Sequence, residues 1–148
     1  QKISSRKIRE LIENGYIKKA VDLLGHPYVI GGNVVTGKHN GTSLGFPTAN
    51  LNMDFPYVMP STGVYVGKCY VREEYKKCLI CVSTHPSLMM LDTPIIEVHI
   101  LDFSDDLYGD FILVSFYDKI REIVTFSDTG ELIRQIEKDK QKLISYKF

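Results

Sequence analysis

The sequence has no surplus charge of either sign: lysine and arginine together number 18, and so do aspartate and glutamate. A domain that grips nucleic acid or an anionic membrane through a basic face is therefore not expected. No apolar run approaches the roughly 20 residues of a spanning helix, and no signal-peptide pattern is visible. Cysteine is scarce and odd in number, with only Cys69, Cys78 and Cys81. That excludes a disulfide scaffold and predicts reduced thiols in a cytoplasmic protein. Cys78 and Cys81 have the spacing of a zinc pair. They fall in the strand-like run Lys77–Val82, however, where positions three apart face opposite sides, and a zinc site needs further ligands close by. No glycine-rich loop ends in Gly-Lys-Ser/Thr, which excludes a Walker A motif. There is no internal repeat and no low-complexity segment. What remains is ordinary for one domain with its own core: 148 residues, 44% hydrophobic and 24% charged. The first residue is Gln1 rather than Met, and the chain is read as a piece of something longer.

Residues 3–25 read as two short helices. Ser4 or Ser5 can cap the first, which Ile8, Leu11 and Ile12 stripe and Asn14-Gly15 stops. Ile17, Ala20, Val21 and Leu24 stripe the second, and Gly25 with Pro27 ends it. From Tyr28 the pattern turns to β. Strands are expected at Tyr28–Thr36, Gly63–Arg72, Tyr75–Thr84, Ile95–Phe103 and Phe111–Tyr117, with a looser run at Leu51–Met59. Glu73-Glu74 reads as a hairpin turn. Asp128 or Thr129 can cap a last helix carrying Leu132, Ile133, Ile136 and Leu143 on one side. Five or six strands with short turns and one closing helix favour a small antiparallel barrel.

Two stretches carry chemistry. In the first, Gly37, Gly41 and Gly45 fall four apart, and Phe46-Pro47-Thr48-Ala49-Asn50 follows. This is either a glycine-rich turn leading into a strand or a loop whose backbone N–H groups cradle phosphate. If the chain runs extended after Pro47, Thr48 and Asn50 point the same way. Their hydroxyl and amide oxygens are hard ligands suited to Mg²⁺ arriving on a nucleotide. The second stretch is Ile96-Glu97-Val98-His99-Ile100. Here Glu97 is either the polar side of a half-buried strand or a carboxylate aimed into a pocket, able to take a hydroxyl proton. His99 is given no chemistry.

Gly45-Phe46-Pro47-Thr48-Ala49-Asn50 resembles the signature of the riboflavin kinases, and Glu97-Val98-His99-Ile100, Asp106-Leu107-Tyr108-Gly109 and Ile120-Arg121 with Phe126-Ser127 are similar to later parts of that family's pattern. The resemblance implies a mainly β fold, a six-stranded antiparallel Greek-key barrel with an N-terminal helical hairpin and a C-terminal helix. It implies ATP-dependent phosphorylation of the riboflavin 5′-hydroxyl to give FMN, with Mg²⁺. Nucleotide binding would fall to Gly37, Lys38, Gly41, Gly45, Pro47, Thr48 and Asn50, and metal binding to Thr48 and Asn50. Glu97 would be the base, and Arg121 and Glu122 would hold the flavin. Ile3-Ser4-Ser5-Arg6-Lys7-Ile8-Arg9 and Leu23-Leu24-Gly25-His26-Pro27-Tyr28 resemble the junction of bacterial bifunctional FAD synthetases. Residues 1–25 would then be a linker to an N-terminal adenylyltransferase module, and 26–148 the kinase barrel with its helix. Segments 81–87 and 122–125 depart from the family pattern. That departure leaves a non-catalytic flavin-binding or regulatory module as the alternative.

Overall fold

The computed structural model describes residues 4–35, 48–85, 93–103 and 105–148. Two helices, α1 (Ser5–Glu13) and α2 (Ile17–Leu24), precede the strands. Ser4 caps α1, its hydroxyl accepting the Lys7 N–H at 3.1 Å. Gly25 ends α2 in the left-handed conformation, φ 79°, which glycine adopts without a Cβ clash. The strands are β1 (Tyr28–Val35), β2 (Ala49–Met53), β3 (Gly63–Val71), β4 (Glu74–His85), β5 (Thr93–Ile100) and β6 (Phe111–Arg121). Helix α3 (Thr129–Ser145) follows, capped by the Asp128 carboxylate, which accepts the Glu131 N–H at 2.8 Å.

The strands close into an antiparallel barrel in the order β1-β2-β5-β4-β3-β6. Strands β3, β4 and β5 are consecutive neighbours, and β6 returns beside β3, which is a Greek key. Alternation sorts the side chains. Ile30, Val34, Tyr65, Cys69, Cys78, Ile80, Ile96, Val98, Val114 and Phe116 join one core, to which α1 and α2 add Leu11, Ile12, Ile17 and Ala20. Tyr65 and Phe116 meet edge to face within it, ring centroids 5.3 Å apart. The other faces of β3 and β4 supply Val64, Val66, Leu79 and Cys81 to a smaller core beneath Leu143 of α3. Cys78 and Cys81 thus lie in different cores, as a strand spacing of three requires.

Several bounds differ from the sequence reading. Strand β2 begins at Ala49, so the Thr-Ala-Asn segment itself runs into a strand, while Pro56 and Pro60 lie beyond its end. The β3–β4 turn is Arg72-Glu73, one residue earlier than expected, because Val71 pairs with Glu74. Both turn residues have positive φ, 49° and 66°. Strand β5 stops at Ile100, and Asp102 turns the chain at φ 55°. Strand β6 runs four residues past Tyr117, through charged positions and two register shifts against β3. On α3 the buried positions are Ile136, Asp139 and Leu143, and Ile133 is exposed.

Candidate active site

The register around the barrel forms one continuous row. Val35 pairs with Asn50, Asn50 with Glu97, Glu97 with Cys81, Cys81 with Val64, and Val64 with Arg121. Residues directly opposite one another across antiparallel strands share a face. Ile96 and Val98, flanking Glu97, belong to the inner core, so Glu97 and Asn50 stand on the outer face. Thr48, two residues before Asn50, completes the group: its hydroxyl donates to Glu97 Oε2 at 3.2 Å.

Outer-face polar residues usually meet water, yet Glu97 is only 7% exposed and Thr48 8%. A carboxylate withdrawn from water is costly without hydrogen-bond donors, and Thr48 supplies one. Three oxygen-bearing side chains are therefore gathered from segments far apart in sequence, Thr48 just before β2, Asn50 at its start and Glu97 from the middle of β5. Each sits on or beside a paired strand, which fixes position more tightly than a free loop does. The arrangement offers a proton acceptor, a hydroxyl and an amide carbonyl side by side. Such a set can orient an alcohol and accept its proton.

The other expected site residues fall in different places. Gly37, Lys38, Gly41, Gly45 and Pro47 lie outside the described residues. Arg121 ends the same row, three strand spacings from Glu97, about 14 Å along the sheet. Its guanidinium is turned to α3 rather than to open space. Nε donates to Asp139 Oδ1 and Oδ2 at 2.9 and 3.1 Å, Nη2 to Oδ2 at 2.8 Å, and Nη1 to the Glu122 carbonyl at 3.0 Å. Glu122 is exposed and pairs with Lys119 at 2.7 Å. The motifs of the sequence do not single out Asp139. The available signal was its place in the helical stripe, three residues after Ile136 and four before Leu143, where an acidic residue breaks the apolar pattern. A cavity of about 390 Å³ lies between Gly15–Lys19 and Asp118–Glu122. Neither Thr48, Asn50 nor Glu97 lines it.

Comparison with known proteins decides what this outer-face group belongs to. The family model for riboflavin kinase (Flavokinase) matches residues 24–146. The chain belongs to the riboflavin kinase family. The bifunctional riboflavin kinase/FMN adenylyltransferase of Bacillus subtilis strain 168 is 40% identical over 148 residues, covering 99% of this chain and 47% of the relative. The chain thus spans about half the length of the curated relatives it matches, 47% in that case. A crystal structure described as a macrolide-efflux protein from Streptococcus pneumoniae superposes with a TM-score of 0.91 at 33% identity, over 99% of this chain and 48% of the other. The riboflavin kinase of Trypanosoma brucei shares the fold, with a TM-score of 0.59 at 24% identity over 80% and 78% of the two chains. The family match fits the closed barrel and its C-terminal helix. Among the described residues no helix is long and apolar enough to cross a membrane.

Proposed function

We propose that this riboflavin kinase domain transfers the γ-phosphoryl group of ATP to the 5′-hydroxyl of riboflavin, giving FMN and ADP. The observation that carries the reading is the cluster of Thr48, Asn50 and Glu97 on one outer-face row. Glu97 takes the 5′-hydroxyl proton as that oxygen bonds to the γ-phosphorus. The bond from phosphorus to the bridging oxygen breaks, and ADP departs with the electron pair. Most of the rate gain in such a transfer comes from alignment and charge neutralisation, so the strand-borne placement of Glu97 matters as much as its basicity.

The oxygen set also fits a magnesium ion delivered with nucleotide. A single carboxylate beside a neutral hydroxyl and a neutral amide is a poor cage for a resident divalent cation, but it suits Mg²⁺ that brings phosphate ligands with it. The Thr48 hydroxyl spends its proton on Glu97 and keeps its lone pairs for the ion, and the Asn50 carbonyl is the second donor. When bound, the ion neutralises charge on the phosphate oxygens. Gly37, Lys38, Gly41, Gly45 and Pro47 are assigned to the nucleotide phosphates, and residues 1–25 to the junction with an FMN adenylyltransferase module that would use the FMN made here. The setting proposed is cytoplasmic.

The test is incubation with riboflavin, ATP and Mg²⁺, followed by chromatography of the flavins. Equal amounts of FMN and ADP are expected. Glu97→Gln should lower kcat by about 10²–10⁴-fold with little change in ATP binding. FMN formation at the wild-type rate by Glu97→Gln would remove the base assignment. Riboflavin binding without any FMN would favour the non-catalytic module.

A further inference from the structure

Glu97 stands between two unlike neighbours. On the β2 side Asn50 is its register partner, and the Thr48 hydroxyl donates to Oε2 at 3.2 Å. On the β4 side its register partner is Cys81. Side chains directly opposite across antiparallel strands have Cβ atoms about 4.5–5.5 Å apart. Cys81 is fully buried in the smaller core, with Val64, Val66, Leu79 and Leu143. A reduced cysteine packs as a small hydrophobe with only a weak S–H donor. The carboxylate is therefore set at the seam between an oxygen-lined side and a hydrocarbon side. Segment 81–87, which departs from the family pattern, begins at this residue.

An apolar flank of this kind keeps water from one side of a carboxylate. That disfavours the charged form and favours uptake of a proton. Among the described residues, the groups around Glu97 can be named element by element. The start of β2 and the residue before it present Asn50 and Thr48, neither charged. Strand β4 presents Cys81, with Leu79 and Ser83 two positions to either side. On β5 itself His99 stands two residues on, opposite Leu79. On α3, over β4, the ionisable side chains that are not exposed are Asp139, which accepts from Arg121, and Lys140.

We propose that Cys81 is a positioning residue for the base: it forms the water-free flank of Glu97 and so makes that carboxylate a readier acceptor of the riboflavin 5′-hydroxyl proton. The inference rests on the riboflavin kinase reading above and deepens it.

The test follows kcat against pH in Cys81→Ser, Cys81→Ala and Val64→Thr, after circular dichroism and melting establish that each variant is folded. Cys81→Ser sets a hydroxyl beside the carboxylate, and Cys81→Ala keeps the flank apolar. Val64 is the register partner of Cys81 on β3, so Val64→Thr adds a hydroxyl to the same core one strand further from the base. In Cys81→Ser the acid limb of the profile should move to lower pH by about half a unit or more, because a hydrogen bond to the charged form favours it. In Cys81→Ala and Val64→Thr the limb should stay within about 0.2 units of wild type. Glu97→Gln should flatten the limb, which identifies it as that of the base. FMN formation by the wild type is measured first, and its absence would overturn the kinase reading and this inference together. FMN formation with an unmoved limb in folded Cys81→Ser would overturn this inference alone, and so would a displaced limb in Cys81→Ala. Equal shifts in Cys81→Ser and Val64→Thr would assign the effect to looser packing and overturn it as well. A limb that survives in Glu97→Gln would overturn it along with the base assignment.

Discussion

Thr48 joins the two halves of the proposed chemistry, because one hydroxyl both donates to the base and retains lone pairs for the nucleotide's cation. Replacing it with Val keeps the shape but removes the donor from a carboxylate that is 7% exposed. Loss of a bond to a buried charged group costs about 1.5–3 kcal/mol, so kcat with Mg·ATP should fall about 10-fold or more, while Thr48→Ser should stay near wild type. Titration of Mg·ATP at fixed riboflavin checks this, and full activity in Thr48→Val would show that the hydroxyl is idle. The thiols make a second residue-scale case. Burial pushes Cys69 up to about 12 and Cys78 well above the usual thiol range, so neither offers a thiolate near neutrality. Native protein at pH 8 should leave a coloured thiol reagent unreacted at all three buried cysteines and react fully once unfolded. Rapid labelling of native protein would contradict the closed packing around them. The site was legible in part for a plain reason: Thr48 and Asn50 lie two apart in one short motif, and Glu97 alternates with Ile96 and Val98. That Asn50 stands opposite Glu97 was not legible, because register between distant strands is set by the whole barrel.

Among the elements, β3 and β6 approach so closely that one position tolerates only glycine. A Cβ at Gly67 would run into the carbonyl of Ser115 on β6 and lie 2.8 Å from Ile80 Cδ1. Backbone cannot yield as a flexible side chain does, so Gly67→Ala should destabilise the fold by about 1–3 kcal/mol or more. A fall in the urea midpoint with unchanged slope is the expected signature; an unchanged midpoint would mean that β3 and β6 can part without cost. The same crossing explains what the sequence hid. The sequence pattern ends β6 at Tyr117, because Asp118, Lys119 and Arg121 look like a strand's polar end. In fact β6 continues through register shifts, and Lys119 reaches Ser61 and Glu122 while Arg121 reaches Asp139. The β3–β4 turn was misplaced by one residue for a related reason. Arg72 holds a left-handed conformation without being glycine, and its guanidinium reaches Asp110 at 3.0 Å and the Asp106 carbonyl at 3.0 Å. Contacts across the molecule support a turn that local propensity does not announce. The helix caps, by contrast, were legible because Ser4, Gly25 and Asp128 act within one turn of chain.

For the molecule as a whole, closure of the barrel withdraws proton-bearing groups as well as hydrocarbon from water, and this ties stability to alkaline pH. Burial pushes Tyr65 up to about 12, more than offsetting the lowering by its hydrogen bond to Ser61. Burial likewise pushes Tyr146 and Cys69 up to about 12. In each case the folded chain holds a proton that the unfolded chain releases earlier, from a tyrosine near 10 or a thiol near 9. Where the folded state binds more protons, stability falls as pH rises. The contribution is complete below pH about 9 and is lost progressively up to about 12. Melting temperature should therefore be flat through neutral pH with respect to these groups and drop steeply over pH 10–12. Tyr65→Phe separates the causes. It loses the 2.6 Å bond from the phenol to the Ser61 carbonyl, about 1 kcal/mol at pH 7. It also removes one titrating group, so its melting temperature should decline less steeply in alkali and approach wild type near pH 11. Parallel declines in the two proteins would place the alkaline sensitivity in groups other than Tyr65, with the buried thiols Cys69 and Cys78 among them.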